Sequence, residues 1–398
     1  MKYLINSIFC VALLFCNDMY SQYNKVASGP MISFIDAYST QVWFLLEPDA
    51  ETIKINLTNY QNDKLLEYNF DVVNEYNLEK YIPFTVVLEN LLPNREYIAS
   101  VYVDDIFIKE LDLFTKRPHL DDVQLLIGYG LGDYHSEKMF ANMINTNSDF
   151  MVWLGGHVDF GNPVSFQGML DNYIDVRKKD ILNDFLSSMP QIATWGETDF
   201  GIKNIKKSWL LRDSAYTVFD LFWPNSLNKT YNYTFYDYGA YQRYSYNDVD
   251  LFLLDSETFN YGNTLYGDKQ IERLFQELKN TGATFTIIAS PCPFTFESKN
   301  SYLNYTKKFD YFMYRLKVSG LDGVILVSGN SVSGTRLNQY TIDNYTVNEL
   351  NISSLDENNY SLINISGLVG DRKLSFNTYN ENGNLIYRKY FHQNDLVN

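Results

Sequence analysis

Two patterns of apolar and polar positions divide the chain. In the first part, short alternating or aromatic runs recur at Met31–Ile35, Gln41–Leu46, Thr52–Leu57, Thr85–Leu88, Tyr97–Val103 and Ile106–Phe114. Turn residues separate them, as at Pro48-Asp49 and Pro93-Asn94. Period-two alternation between turns is the mark of half-buried strands, so residues 25–117 are expected to form a β-sandwich. Lys116-Arg117-Pro118 reads as the linker out of it. Beyond it the pattern changes to continuous apolar runs at Val123–Ile127, Phe150–Leu154, Gln191–Trp195, Val249–Leu254, Thr284–Ala289 and Gly323–Val327. These alternate with helical stretches near Ser136–Ile144, Asn172–Ser188, Lys269–Asn280 and Tyr305–Val318, the third capped by Asp268 and stopped by Gly282. Strands apolar on both faces lie in sheets covered by helices, so residues 118–398 are expected to form a layered α/β or α+β domain. Its tail returns to strands at Ser361–Ile365, Lys373–Thr378 and Leu385–Phe391.

The start of the chain carries a different signal. Lys2 precedes the apolar run Ile8–Phe15, and a polar stretch ends at Tyr20-Ser21-Gln22. A short charged region, an apolar run too short to span a bilayer and a small residue before a cut describe an export signal over residues 1–21. A lipid anchor on Cys16 is disfavoured by Phe15, which stands where a small residue is needed. No later run is long enough for a transmembrane helix. The expected location is therefore periplasmic, outer-membrane-associated or secreted.

Composition narrows the partners. Hydrophobic residues make up 45% and charged residues 20%, enough apolar material for a sizeable core. Aromatics reach 16%, with 33 Tyr and 27 Phe, which suits packing across strands. A formal net charge of −16 without a Lys/Arg cluster excludes nucleic acid and anionic membrane as expected partners. Of three cysteines, Cys10 and Cys16 lie in the expected leader, leaving Cys292 alone between Pro291 and Pro293. That excludes an intrachain disulfide in the processed chain, and Cys292 reads as structural.

The ends of the second domain's strands carry recognisable segments. Phe150–Gly156 resembles the PhoD-like metallophosphatase pattern D-F-x-x-W-L-G-D, and Ala193–Gly201 resembles A-x-W-D-D-H-D-x-G. Tyr216–Trp223 resembles the family helix ending L-F-W, Val249–Asp255 resembles V-D-F-x-x-L-D, and Val324–Val332 resembles V-I-x-L-S-G-D-x-H. Order and spacing agree across residues 118–398, and Ser28-Gly29-Pro30-Met31 resembles the start of the β module these enzymes often carry. The resemblance implies a fibronectin type III-like β-sandwich followed by a layered α/β/β/α metallophosphatase domain. It also implies chemistry in which two cations, or a cation cluster, hold a phosphate ester and activate a nucleophile.

Matched position by position, the ligands of that chemistry are missing. The first strand ends in Tyr129-Gly130 instead of Cys or Asp, and the bridging Asp is Gly156. The Asp-Asp-His run is Gly196-Glu197-Thr198, and the last Asp and His are Asn330 and Val332. Only four histidines exist, and of these only His157 sits on a motif loop. The expectation is a pseudo-phosphatase without cofactor, working as a binding module for an envelope or secretion-associated protein, or for a glycan. The competing expectation is a phosphoester hydrolase with a rebuilt site of His157, Asp159, Asp175, Glu197 and Asp199. That site would take one divalent or ferric ion, with or without calcium. The simpler reading makes His157 part of a polar loop over a vacated pocket, pairs Arg177 with a helix carboxylate and assigns Asp199 and Asp255 to local backbone.

Overall fold

The computed structural model describes residues 24–115, 122–131, 136–161, 165–201, 209–225, 235–331 and 334–397. The expected export signal, the linker Lys116–Pro118, Val332 and the side chain of Asn330 lie outside them.

Seven strands come first: β1 (Val26–Ile35), β2 (Thr40–Leu46), β3 (Thr52–Thr58), β4 (Lys64–Asp71), β5 (Ile82–Leu88), β6 (Glu96–Val103) and β7 (Ile106–Phe114). They form a three-stranded sheet β1-β2-β5 and a four-stranded sheet β4-β3-β6-β7. Ile32, Val42, Phe44 and Val86 of the first sheet meet Ile53, Ile55, Val101 and Leu113 of the second in one core. Strand β4 is absent from the sequence pattern. It is an edge strand with no fully buried side chain, so its residues are not held to strict alternation.

The larger part contains β8 (Val123–Gly128), α1 (Glu137–Ile144), β9 (Phe150–Trp153), α2 (Phe166–Arg177), α3 (Asp180–Ser188), β10 (Gln191–Ala193), α4 (Glu197–Phe200), α5 (Arg212–Phe222) and α6 (Phe235–Tyr238). It continues with β11 (Gln242–Tyr246), β12 (Val249–Leu253), α7 (Asp268–Leu278), β13 (Phe285–Ser290), α8 (Thr306–Ser319) and β14 (Val324–Ser331). It closes with β15 (Arg336–Ile342), β16 (Tyr345–Ser353), β17 (Asn359–Ser366), β18 (Lys373–Asn380) and β19 (Leu385–His392). Two six-stranded sheets result, ordered β10-β9-β8-β17-β18-β19 and β11-β12-β13-β14-β16-β15.

Side-chain parity builds four layers. Leu125, Ile127 and Val152 of one sheet face Leu251, Ile287 and Val327 of the other. The opposite faces, with Leu126, Met151 and Trp153, pack under α1, α2, α3 and α5. Phe252, Ile288 and Leu326 pack under α7 and α8. Burial on both faces explains the continuous apolar runs of the central strands.

Three readings need correction. The single helix expected over Asn172–Ser188 is two, because Lys179 adopts an extended conformation (φ −69°, ψ 117°) and restarts the chain as α3. Asp268 is the first residue of α7, and the cap position is Gly267 at φ +73°. Strands β11, β15 and β16 were not legible. Strand β16 is fully buried from Val347 on, yet holds Asn348, Glu349 and Asn351, which interrupt its apolar run.

The small sandwich does not hang free. Met31, Trp43 and Leu45 on the outer face of β1-β2-β5 share a core with α2, α3 and α5. The Trp43 indole N–H donates to the Leu221 carbonyl at 2.7 Å, and Ser28 donates to Asn183 at 2.9 Å. Arg177, expected to pair with a helix carboxylate, lies buried in this junction instead. Its guanidinium stacks on Trp223 at 4.0 Å and Trp43 at 4.9 Å and donates to the Phe222 carbonyl at 2.8 Å. Burial lowers its pKa to about 9, still charged at neutral pH.

Candidate functional site

Parallel pairing aligns the strand ends into a rim. Gly128, Trp153 and Ala193 are at one level across β8, β9 and β10, and Ser290 and Ser328 pair across β13 and β14. The loops that follow therefore converge, Tyr129-Gly130, Leu154-Gly155-Gly156, Trp195-Gly196, Leu254-Asp255 and Pro291-Cys292, together with Gly329 near the end of β14. In open parallel sheets, ligands bind outside such carboxyl ends.

A tyrosine ring fills the centre of this rim. A Cβ placed on Gly329 would come 2.7 Å from Tyr129 Cδ2, on Gly156 3.1 Å from Cε1, and on Gly196 3.4 Å from Cε2. The ring thus packs directly on three glycines, two from loops and Gly329 from the end of β14, and the two loop glycines stand where the family pattern has ligand carboxylates. Tyr129 is 9% exposed. Burial, then the negative charges around it beginning with Asp199, raises its hydroxyl well above the usual range. The residue is locked at its backbone too: Leu355 N–H donates to its carbonyl at 2.8 Å, and Gly130 N–H donates to Gly155 at 2.9 Å.

The carboxylates of the rim serve the chain itself. Asp199 is fully buried and accepts four backbone N–H groups: Gly156 at 2.7 Å, Gly196 at 2.8 Å, His157 at 2.6 Å and Val158 at 3.0 Å. It pins the β9 loop to the β10 loop. Asp255 accepts Ala240 N–H, Glu257 N–H, Thr258 N–H and the Thr258 hydroxyl within 2.9 Å. Glu349 accepts Phe294 N–H at 2.9 Å, Thr295 N–H at 2.5 Å and the hydroxyls of Thr295 and Ser328. Such carboxylates act as braces, each replacing several backbone partners that a loop lacks.

The rebuilt site is not assembled. His157 is not on a polar loop: its ring is 1% exposed, packs 4.5 Å from Trp223, and its Nε2 lies 2.9 Å from the Thr194 carbonyl. Burial lowers its pKa, so the imidazole is neutral and donates to that carbonyl. Asp159 is exposed and accepts Gly161 N–H at 2.9 Å. Asp175 is exposed on α2, and Glu197 is half-buried at the start of α4. Among the described residues, no three of His, Cys, Asp and Glu are grouped so as to hold a metal ion. Gly130, Gly156 and Gly196 offer no donor atom, and a tyrosine ring stands among them. These residues do not fit the cation cluster that the family pattern implies.

One group escaped sequence reading. Glu257, after Asp255, is buried beside the rim and accepts the Ser256 hydroxyl at 2.7 Å. Its pKa is raised to about 8, first by burial and then by Asp255, Glu197 and Asp199. Cys292 Sγ lies 3.4 Å from Ser256 Oγ and 4.0 Å from Glu257. Burial pushes the thiol well above its usual pKa, the reverse of an activated nucleophile. No local motif marks Glu257. Only the meeting of the β12 and β13 loops does.

The geometry makes a direct prediction for the missing bridging aspartate. Gly156 has φ +73°, and its Cβ would lie 3.0 Å from Gly130 Cα as well as against Tyr129. Gly156→Asp is therefore expected to lower stability by about 2 kcal/mol through backbone strain and crowding. Urea unfolding measures it, and an unchanged midpoint would mean that the ring does not occupy this place.

No protein-family profile matches the chain, and no curated protein does. Among solved structures, that of PhoD matches with a TM-score of 0.73 at 13% identity, covering 90% of this chain and 91% of that one. GAP50, described as the anchor in the inner membrane complex of Plasmodium, matches with a TM-score of 0.39 at 13% identity, covering 69% of this chain and 89% of that one.

Proposed function

We propose that this chain, which has a PhoD-like fold, is an exported non-catalytic relative of that phosphatase scaffold and works as a binding or assembly module. The observation that carries the reading is Tyr129. Its ring packs on Gly156, Gly196 and Gly329, the first two of which stand where the family pattern calls for metal ligands. A fold hosts chemistry only through its site. Here the nearby carboxylates Asp199, Asp255 and Glu349 are engaged with backbone and hydroxyl donors. In this reading residues 25–117 are a fibronectin type III-like module and residues 118–398 the phosphatase-like domain. The arrangement of β1-β2-β5 against β4-β3-β6-β7 supports the first assignment. Among the described residues no helix is long and apolar enough to cross a membrane. The proposed partner is an envelope or secretion-associated protein, or a glycan.

Elemental analysis of protein purified without chelators, beside assays with a generic phosphomonoester and phosphodiester, tests the catalytic half. The expected result is no stoichiometric metal and no hydrolysis above background. About one metal per chain, with ester hydrolysis lost in His157→Ala, would overturn it. Amino-terminal sequencing of protein from the native host tests export, and an intact Met1 would end that part.

A further inference from the structure

Strand β5 is the outer strand of its sheet, paired with β2 alone, Val87 opposite Gln41 and Thr85 opposite Trp43. Among the described residues, no hydrogen bond outside that ladder reaches the main chain of residues 82–88. Beside this edge a crevice of about 370 Å³ opens between the sandwich and the end of α5. That volume lies within the roughly 300–1,000 Å³ of ligand pockets. One wall is Thr85 and Val87, the other Leu221 and Pro224. The crevice exists because Trp43 and Leu45 are covered by the larger domain, whereas the face of β5 at Thr85 and Val87 extends past that cover.

Two further observations say what would enter it. Gln41 lines the crevice and is 5% exposed, and its Oε1 has no hydrogen-bond partner. A buried amide oxygen left unpaired is costly, and the N–H of a peptide group is its complement. The charged residues at the crevice are Glu75, Glu89 and Asp220, all exposed, and among the described residues no Lys or Arg lines it.

We infer that the β5 edge and this crevice form a docking site for an extended, lysine- or arginine-bearing peptide segment of a partner protein, taken up as an added strand. Main-chain hydrogen bonds along an open edge supply the affinity, and alternate side chains supply the choice. Apolar side chains of the added strand would face Val87 and Leu221, with basic ones between them facing the acidic rim. Pro83 has no N–H to offer and limits the pairing at one end of the edge. The site is separate from the strand-end rim and stands or falls independently of the metal and phosphatase assays.

Fluorescence anisotropy with three labelled hexapeptides tests it: (Lys-Val)₃, (Glu-Val)₃ and (Lys-Pro)₃. The last has the charge of the first but cannot pair as a strand, so it separates docking from general attraction to an acidic protein. The expected result at low salt is at least tenfold tighter binding of (Lys-Val)₃ than of either control. The exposed double variant Glu75→Lys/Glu89→Lys, with an unchanged melting temperature, is expected to lose that tenfold preference. Equal binding of (Lys-Val)₃ and (Lys-Pro)₃ overturns the inference. So does unchanged binding by the double variant, or self-association through this face that the peptide fails to displace.

Discussion

Replacing Asp199 by Asn is expected to destabilise the protein by about 3 kcal/mol or more, although the two side chains have the same shape. The carboxylate receives two N–H groups on each oxygen, Gly156 and Gly196 on one, His157 and Val158 on the other. Asparagine keeps one acceptor and turns the other position into a donor. Two buried N–H groups then face an NH₂ with no lone pair between them, and each lost bond was one made to a charged group. Asp199 is fully buried, so bulk solvent does not reach them. Equilibrium unfolding in urea measures the loss. Asp199→Gly, which empties the nest, is expected to recover part of it in formate but not in chloride of equal ionic strength, because the vacated amides suit a small carboxylate. An Asn variant within about 0.5 kcal/mol of the parent would show that the carboxylate is not the brace described here.

The second large effect is pH-dependent and belongs to Glu257. Its folded pKa of about 8 lies above the ordinary value of 4.5. Between those two pH values the folded protein keeps a proton that the unfolded chain releases. Stability therefore falls as pH rises through that window and levels off on either side of it. At about 1.4 kcal/mol per pH unit, the group contributes a loss on the order of 4 kcal/mol from pH 4.5 to pH 8. Glu257→Gln keeps the bond from Ser256 and carries no proton to lose. It is expected to match the parent near pH 5 and to exceed it by several kcal/mol at pH 8. Parallel changes in parent and variant across this range would show that Glu257 ionises normally in the folded state.

Much of the fold was legible along the chain, and the reason is burial on both faces. The runs Val123–Ile127, Phe150–Leu154 and Val249–Leu254 lie between sheet and helices, so apolar residues stand on both faces, interrupted only by Gln124 and Asp250, and the strands stand out. Edge strands β4 and β15 have a face or rim in water, and polar residues there are free to vary. Strand β16 was hidden for another cause, since Glu349 and Asn351 sit in it to brace the loops at the rim.

That Gly156 and Gly196 offer no side-chain ligand could be read from residue types, because glycine has no donor atom whatever its surroundings. What replaces the ligands could not. That Tyr129 lies on three glycines, that Asp199 gathers four amides and that His157 turns into an aromatic core depend on loops from separate strands meeting at one level. Residue identity sets what each group is able to do. Parallel register decides which groups meet, and burial then settles their charge: a neutral His157, a protonated Glu257 and an Arg177 held by indoles instead of carboxylates.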